Sequence, residues 1–203
     1  ALGAGRNIGE ASAPVYFIVN DMKIALIAAT QIERLDNPDT KEATETSPGV
    51  FRCWNPEKLC EVIAQAKAES DFVIVCVHWG TENESDPDWA QTDQAPLYAQ
   101  AGADLIVGDH PHCLQGITYC GNTPVLYSLG NFWFNSKTID TGLLKVSIGQ
   151  EGIKSLQFVP AIQSDCRVKM VYDSEKERIL SYLRNLSPGV QIDSDGYISQ
   201  NGG

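Results

Sequence analysis

Histidine is scarce in this chain, with three in 203 residues, and so is positive charge, with 15 Lys and Arg against 26 Asp and Glu. The formal net charge of −11 argues against binding nucleic acid or anionic lipid, both of which need a basic surface. It is compatible with holding divalent cations. An anionic substrate would have to be received by metal ions or by a local basic pocket. Long apolar runs are missing too: Ile24–Ala29 and Phe72–Val77 fall far short of the roughly 20 residues of a membrane span. Residues Ala1–Ala13 are Gly-rich and polar and contain no apolar core of a signal peptide. As it stands the chain reads as soluble, with any anchor or signal outside it. None of the six cysteines stands in a CxxC pair, which disfavours a zinc ribbon or a thioredoxin-type site. No Gly-x-Ser-x-Gly elbow occurs.

The remaining composition, 43% hydrophobic and 20% charged, is ordinary for a globular protein. The length suits one domain or most of a larger one. Cys60 and Cys76 fall on apolar faces and read as small buried hydrophobes. Cys113 and Cys120 flank a short strand and could pair in an exported protein.

Val15–Val19 and Met22–Ala28 read as a hairpin joined by Asn20-Asp21, and Gln31–Gly49 reads as a polar surface loop. A helix follows, with Asn55 as cap, Pro56 at the first position, Glu57 in the first turn and Leu59, Val62, Ile63 and Ala66 on one face. Phe72–Val77 is a continuous apolar run, the pattern of a strand buried on both faces. It ends at His78-Trp79-Gly80. A helical stretch around Pro96–Ala101 leads to a second buried strand, Leu105–Val107, which ends at Gly108-Asp-His-Pro-His112. A hairpin, Leu114–Tyr119 with Pro124–Tyr127, then ends at Ser128-Leu-Gly-Asn-Phe132. Leu143–Ile148 and Ser155–Val159 read as strands. Ser174-Glu-Lys-Glu177 is a capping-box pattern opening a helix with Ile179, Leu180, Leu183 and Leu186 on its face. The tail from Ser187 reads as polar and loosely held. Strand, helix and strand in this order mark an α/β domain, and the loops after the strands are where such sheets place their sites.

All three histidines lie directly after a buried strand, and two are crowded into five residues. Imidazole is a common metal ligand, so His110 and His112 are candidate ligands with His78 as the third. Pro111 prevents a regular ladder, so both rings can turn toward one centre or toward two adjacent ions. Surface or capping histidines are the alternative. Glu82 and Asp109 lie nearby, but neither spacing marks a metal bridge, and Asp109 could equally be a turn residue facing away. The glycines of Gly3–Gly9 are mis-spaced for a dinucleotide loop, and Asp193–Gly196 is too short for a calcium loop.

The runs Gly3-Ala-Gly5-Arg-Asn7-Ile-Gly-Glu10-Ala11, Val77-His78-Trp79-Gly80-Thr-Glu82, Gly102–Ile117 with its Gly-Asp-His-Pro-His core, and Tyr127-Ser-Leu-Gly130-Asn131-Phe-Trp-Phe134 together resemble the CapA/PgsA family of bacterial capsule-synthesis proteins. The resemblance covers roughly residues 1–160. It implies an α-β-β-α sandwich of the metallophosphoesterase type, with residues 161–203 as an accessory helix and tail. By position, His78, His110 and His112 match metal ligands of the family, and Glu82 and Asn131 match residues that orient water, ligand or substrate. Asn83 stands where an aromatic residue is usual, and Asp109 where histidine or serine is common.

The family also has an N-terminal half that supplies an Asp-containing strand end, an Asn-Leu-Glu motif and an Asn-His pair. The chain therefore resembles the C-terminal portion of a member, expected to pair with that missing half or with a second chain and to bind metal weakly or not at all alone. The resemblance implies a divalent transition metal (Mn, Zn or Fe), two ions in the complete protein, and metal-assisted hydrolysis or transfer in capsule or poly-γ-glutamate biosynthesis. The expected partners are an anionic polymer or a phosphorylated substrate met through the metal, and the capsule synthesis machinery, at the cell surface or outside the cell. The rivals are a non-catalytic assembly or export component with a vestigial site, and a general metallophosphoesterase unrelated to capsule.

Overall fold

The computed structural model describes residues 1–32 and 41–201. In chain order the elements are β1 (Ala4–Gly5), α1 (Ile8–Ser12), β2 (Val15–Val19), β3 (Met22–Thr30), β4 (Gly49–Val50) and α2 (Glu57–Glu69). They continue with β5 (Phe72–His78), α3 (Trp89–Ala101), β6 (Leu105–Asp109), β7 (Ile117–Cys120) and β8 (Thr123–Leu126). The C-terminal part adds β9 (Ile139–Gly149), β10 (Gly152–Ser164), β11 (Arg167–Met170), α4 (Asp173–Leu186), β12 (Val190–Ile192) and β13 (Ile198–Gln200).

The main sheet has six strands in the order β2-β3-β5-β6-β8-β7. The inner four run parallel, and β2 and β7 close the edges antiparallel. The β2–β3 turn places Asn20 and Asp21 both at positive φ, 49° and 61°, as a two-residue turn between right-twisted strands requires. Strand β5 lies at the centre, and its alternation sorts two cores. Val73, Val75 and Val77 face Leu59, Ile63 and Ala66 of α2 and Tyr98 of α3. Phe72 faces the other way and joins Leu105 and Leu126, with Leu156 and Phe158 of β10 and Ile179, Leu180 and Leu183 of α4. Fully burying one such side chain contributes about 1.5–3 kcal/mol, so a continuous apolar run is stable only in this doubly covered position. The second core is roofed by a three-stranded sheet, β11-β10-β9, and the result is an α/β fold with helices flanking a mixed sheet.

Several boundaries differ from the sequence expectation. Helix α3 begins at Trp89, where Asp88 caps the backbone N–H groups of Ala90 and Gln91 and the Gln91 side chain caps Asp88 in return; Pro96 lies inside it rather than at its start. Helix α4 begins at Asp173, with no side-chain cap. Ser174 does not cap it, because the first turn already closes from Lys176 N–H to Tyr172 O. Asn55 accepts from Glu57 N–H at 3.2 Å just ahead of α2. The tail is a docked hairpin, not a loose strand: Ile192 and Ile198 are buried, and Tyr197 bridges to Gln157 of β10. The division at residue 160 falls inside β10. The loop expected over Gln31–Gly49 lies partly, at residues 33–40, outside the described residues. All six cysteines are free, Cys113 and Cys120 among them.

Candidate metal centre

Parallel pairing puts His78 opposite Thr30 on one side and Asp109 on the other, so the ends of β3, β5 and β6 form one ledge. Trp79, the next residue, is fully buried toward α3 and donates its indole N–H to Tyr127 O at 3.0 Å. That indole leaves no room opposite it. A Cβ on Gly108 would stand 2.1 Å from Tyr127 O and 2.2 Å from Trp79 Nε1. The His-Trp-Gly and Gly-x-His-Pro-His motifs are thus two sides of one packing contact.

Beyond the ledge the chain turns sharply. His110 and His112, either side of Pro111, have φ of 100° and 60°, a left-handed backbone that costs a non-glycine residue of order 1–3 kcal/mol and tends to occur at functional sites. The Glu82 loop is tied to this turn by Asn83 N–H to Pro111 O at 2.8 Å. The ring centroids of His110 and His112 lie 5.8 Å apart, and those of His78 and His110 4.6 Å.

The hydrogen bonds decide which nitrogens remain available. His78 Nδ1 lies 3.1 Å from Asp109 Oδ1. A carboxylate accepts, so this nitrogen carries the proton, and in the neutral ring His78 Nε2 is a lone pair. His110 Nδ1 stands 3.0 Å from that lone pair, donates to it, and leaves its own Nε2 open. His112 Nδ1 donates to Asn131 Oδ1 at 2.8 Å, and its Nε2 is likewise open. Burial, and then the neighbouring His78, pushes the His110 pKa down to about 4, so its ring is neutral at physiological pH.

Glu82, His110 and His112 each offer a ligand atom, all within 4.8 Å of one another. Two imidazoles and a carboxylate are donors suited to a divalent transition ion, and the group fits one. His78 lies beside this group and outside it, with its Nε2 engaged by His110. The five residues singled out from sequence therefore converge, but not as equivalents: Asn131 and His78 each orient one of the two open rings.

Sequence reasoning passed over the support beneath. Gln91 and Gln115 are buried, with Gln91 Nε2 donating to Gln115 Oε1 at 2.8 Å and Gln115 Nε2 donating to Glu84 O at 2.9 Å. They brace the Glu82 loop from below. Asp109 faces His78 rather than away. Phe134 stacks on His112 with centroids 4.9 Å apart. The only sequence signal for Asp109 was its place at the strand end. Gln91 could have been read from the Asp88-x-x-Gln91 capping pattern.

The profile described as bacterial capsule synthesis protein PGA_cap matches residues 1–136. The PGA biosynthesis protein CapA of Bacillus subtilis (strain 168) is 34% identical over 163 residues, 78% of this chain and 42% of that protein. The capsule biosynthesis protein CapA of Bacillus anthracis is 34% identical over 190 residues, 90% of this chain and 45% of that protein. The chain thus spans less than half the length of either relative. A crystal structure of a hypothetical protein from Thermus thermophilus aligns with a TM-score of 0.37 at 11% identity, over 73% of this chain and 54% of that one.

Proposed function

The chain belongs to the bacterial capsule synthesis protein PGA_cap family, and on that premise we propose that it serves poly-γ-glutamate capsule biosynthesis through a metal centre at the sheet's C-terminal edge. The observation that carries this reading is the convergence of Glu82, His110 and His112 within 4.8 Å. His110 and His112 offer Nε2, Glu82 offers its carboxylate, and His78 and Asn131 hold the two rings in the tautomers that keep those nitrogens open. A bound divalent ion supplies a Lewis acid and a more acidic water, the chemistry of hydrolysis or transfer at a phosphoryl or amide group. The protein's own part is orientation: ligating histidines generally give their second N–H to a carboxylate or carbonyl oxygen, and losing that partner typically weakens metal binding. With a net charge of −11 the chain repels a polyanion, so contact with polyglutamate or a phosphorylated substrate runs through the ion. A place at the cell surface suits a capsule role. Among the described residues no helix is long and apolar enough to cross a membrane.

Titration of the purified chain with Mn2+, Zn2+ and Fe2+ tests the reading. One ion bound per chain and lost in His110→Ala supports it, and no binding by the wild type sinks it. Assays on phosphodiester model substrates and on polyglutamate then separate a capsule enzyme from a general phosphoesterase. Metal binding without turnover of either substrate points to an assembly component.

A further inference from the structure

Between Asn131 and Thr138 the chain displays Phe132, Trp133 and Phe134 to solvent, 42%, 71% and 51% exposed. Burial of its apolar side chains therefore does little to hold this loop, yet the loop forms one wall of the metal centre. Asn131 takes the Nδ1–H of His112 at 2.8 Å. Phe134 lies against the face of the same ring, 30° from parallel. What fastens the loop lies behind it on β10. The Gln163 side chain is fully buried. Its Oε1 accepts from the backbone N–H of Phe134 at 3.0 Å and of Asn135 at 2.9 Å, and its Nε2 donates to Lys137 O. Trp133 Nε1 to Cys166 O at 2.8 Å and Cys166 N–H to Asn135 O at 3.0 Å tie the loop to the same sheet.

We infer that Gln163, which lies beyond the matched residues 1–136, is a positioning residue of the metal centre: it clamps residues 134–137 so that Phe134 and Asn131 hold His112 on its face and on its edge. The inference rests on the proposed metal centre for its consequence, though not for its geometry. Both ends of the amide are used, and a buried amide that loses its partners is costly. Glutamine is therefore matched to three backbone groups of one loop. Glutamate keeps the two acceptor contacts but turns its second oxygen onto the Lys137 carbonyl, whereas alanine loses all three.

Two measurements on the full chain test this. The first is the ring tautomer of His112 in metal-free protein, read from 15N shifts. The second is Mn2+ affinity by calorimetry. Wild type is expected to show the Nδ1–H form. Gln163→Ala is expected to give a mixture of tautomers and about ten-fold weaker Mn2+ binding, with Gln163→Glu, which keeps the two N–H contacts and loses the third, restoring only part of both. Phe134→Ala, at an exposed position that leaves the core intact, is expected to shift the tautomer in the same direction and guards against a Gln163→Ala protein that does not fold. An unchanged His112 tautomer in Phe134→Ala together with folded Gln163→Ala or Gln163→Glu overturns the inference. A wild type that binds no Mn2+ but shows the tautomer shifts overturns the metal reading and leaves the clamp standing.

Discussion

Asn131 Oδ1 stands 2.8 Å from His112 Nδ1, and this contact decides which nitrogen of the imidazole can meet an ion. The amide oxygen accepts, Nδ1 keeps its proton, and Nε2 is left open. Asn131→Leu removes the acceptor and keeps the branched outline of the side chain. Mn2+ affinity is expected to fall about ten-fold, with the circular dichroism spectrum unchanged, and an unaltered affinity would show that the ring is held by other means.

His78 and His110 differ in what their loss should do. His110 belongs to the three-residue donor group, whereas His78 Nε2 already accepts from His110 Nδ1 at 3.0 Å. His110→Ala is expected to abolish stoichiometric metal binding. His78→Ala is expected to weaken it by only about 10–100-fold, the size of an orienting contact. Equal losses in calorimetric titrations would instead make His78 a full ligand, as the three-histidine reading has it.

Gly108→Ala is expected to destabilise the fold by about 3 kcal/mol or more, the upper range of overpacking. Its Cβ would press on a backbone carbonyl 2.1 Å away and on a fully buried indole, and neither can yield without moving β5 or β8. Urea denaturation followed by fluorescence measures this. A loss below about 1 kcal/mol, the lower end of that range, would mean that the Trp79 contact can relax around the added methyl group.

Burial pushes the thiol of Cys53 up to about 12, and burial with the charge of Asp109 pushes Cys76 up to about 11. Both stay protonated and unreactive at about pH 8, below the usual thiol value, while Cys166 is exposed. Iodoacetamide at that pH is expected to modify Cys166 and to reach Cys53 and Cys76 only on unfolding, as mass spectrometry can show. The linkage has a definite sign. In the unfolded chain these thiols ionise near the usual value of about 8.5, so their contribution to stability is complete below that pH. It declines as pH rises through the interval up to about 11 for Cys76 and about 12 for Cys53.

Much of the fold follows from local pattern. Phe72–Val77 reads as a strand covered on both faces and is one, and the helix over Glu57–Glu69 carries its buried stripe at the expected spacing. Elsewhere a local signal pointed to the wrong residue. The helical stretch expected around Pro96–Ala101 is the second half of α3, which the reciprocal cap between Asp88 and Gln91 nucleates earlier. The polar tail hides Ile192 and Ile198, whose burial depends on β10 and α4, elements remote in sequence.

Chain order alone determined that the three histidines, Glu82 and Asn131 would sit where the sheet's strands end, because a buried strand stops where its apolar run stops. Their division of labour was decided by tertiary structure. Which nitrogen of each ring stays open depends on Asp109 and Asn131, and the loop carrying Asn131 depends on Gln163, 28 residues further along from Asn135. Hydrogen bonds of such reach leave no periodic trace in a sequence. They exist only once two sheets and their loops have packed, when a buried amide must find partners among the groups the fold has brought to it.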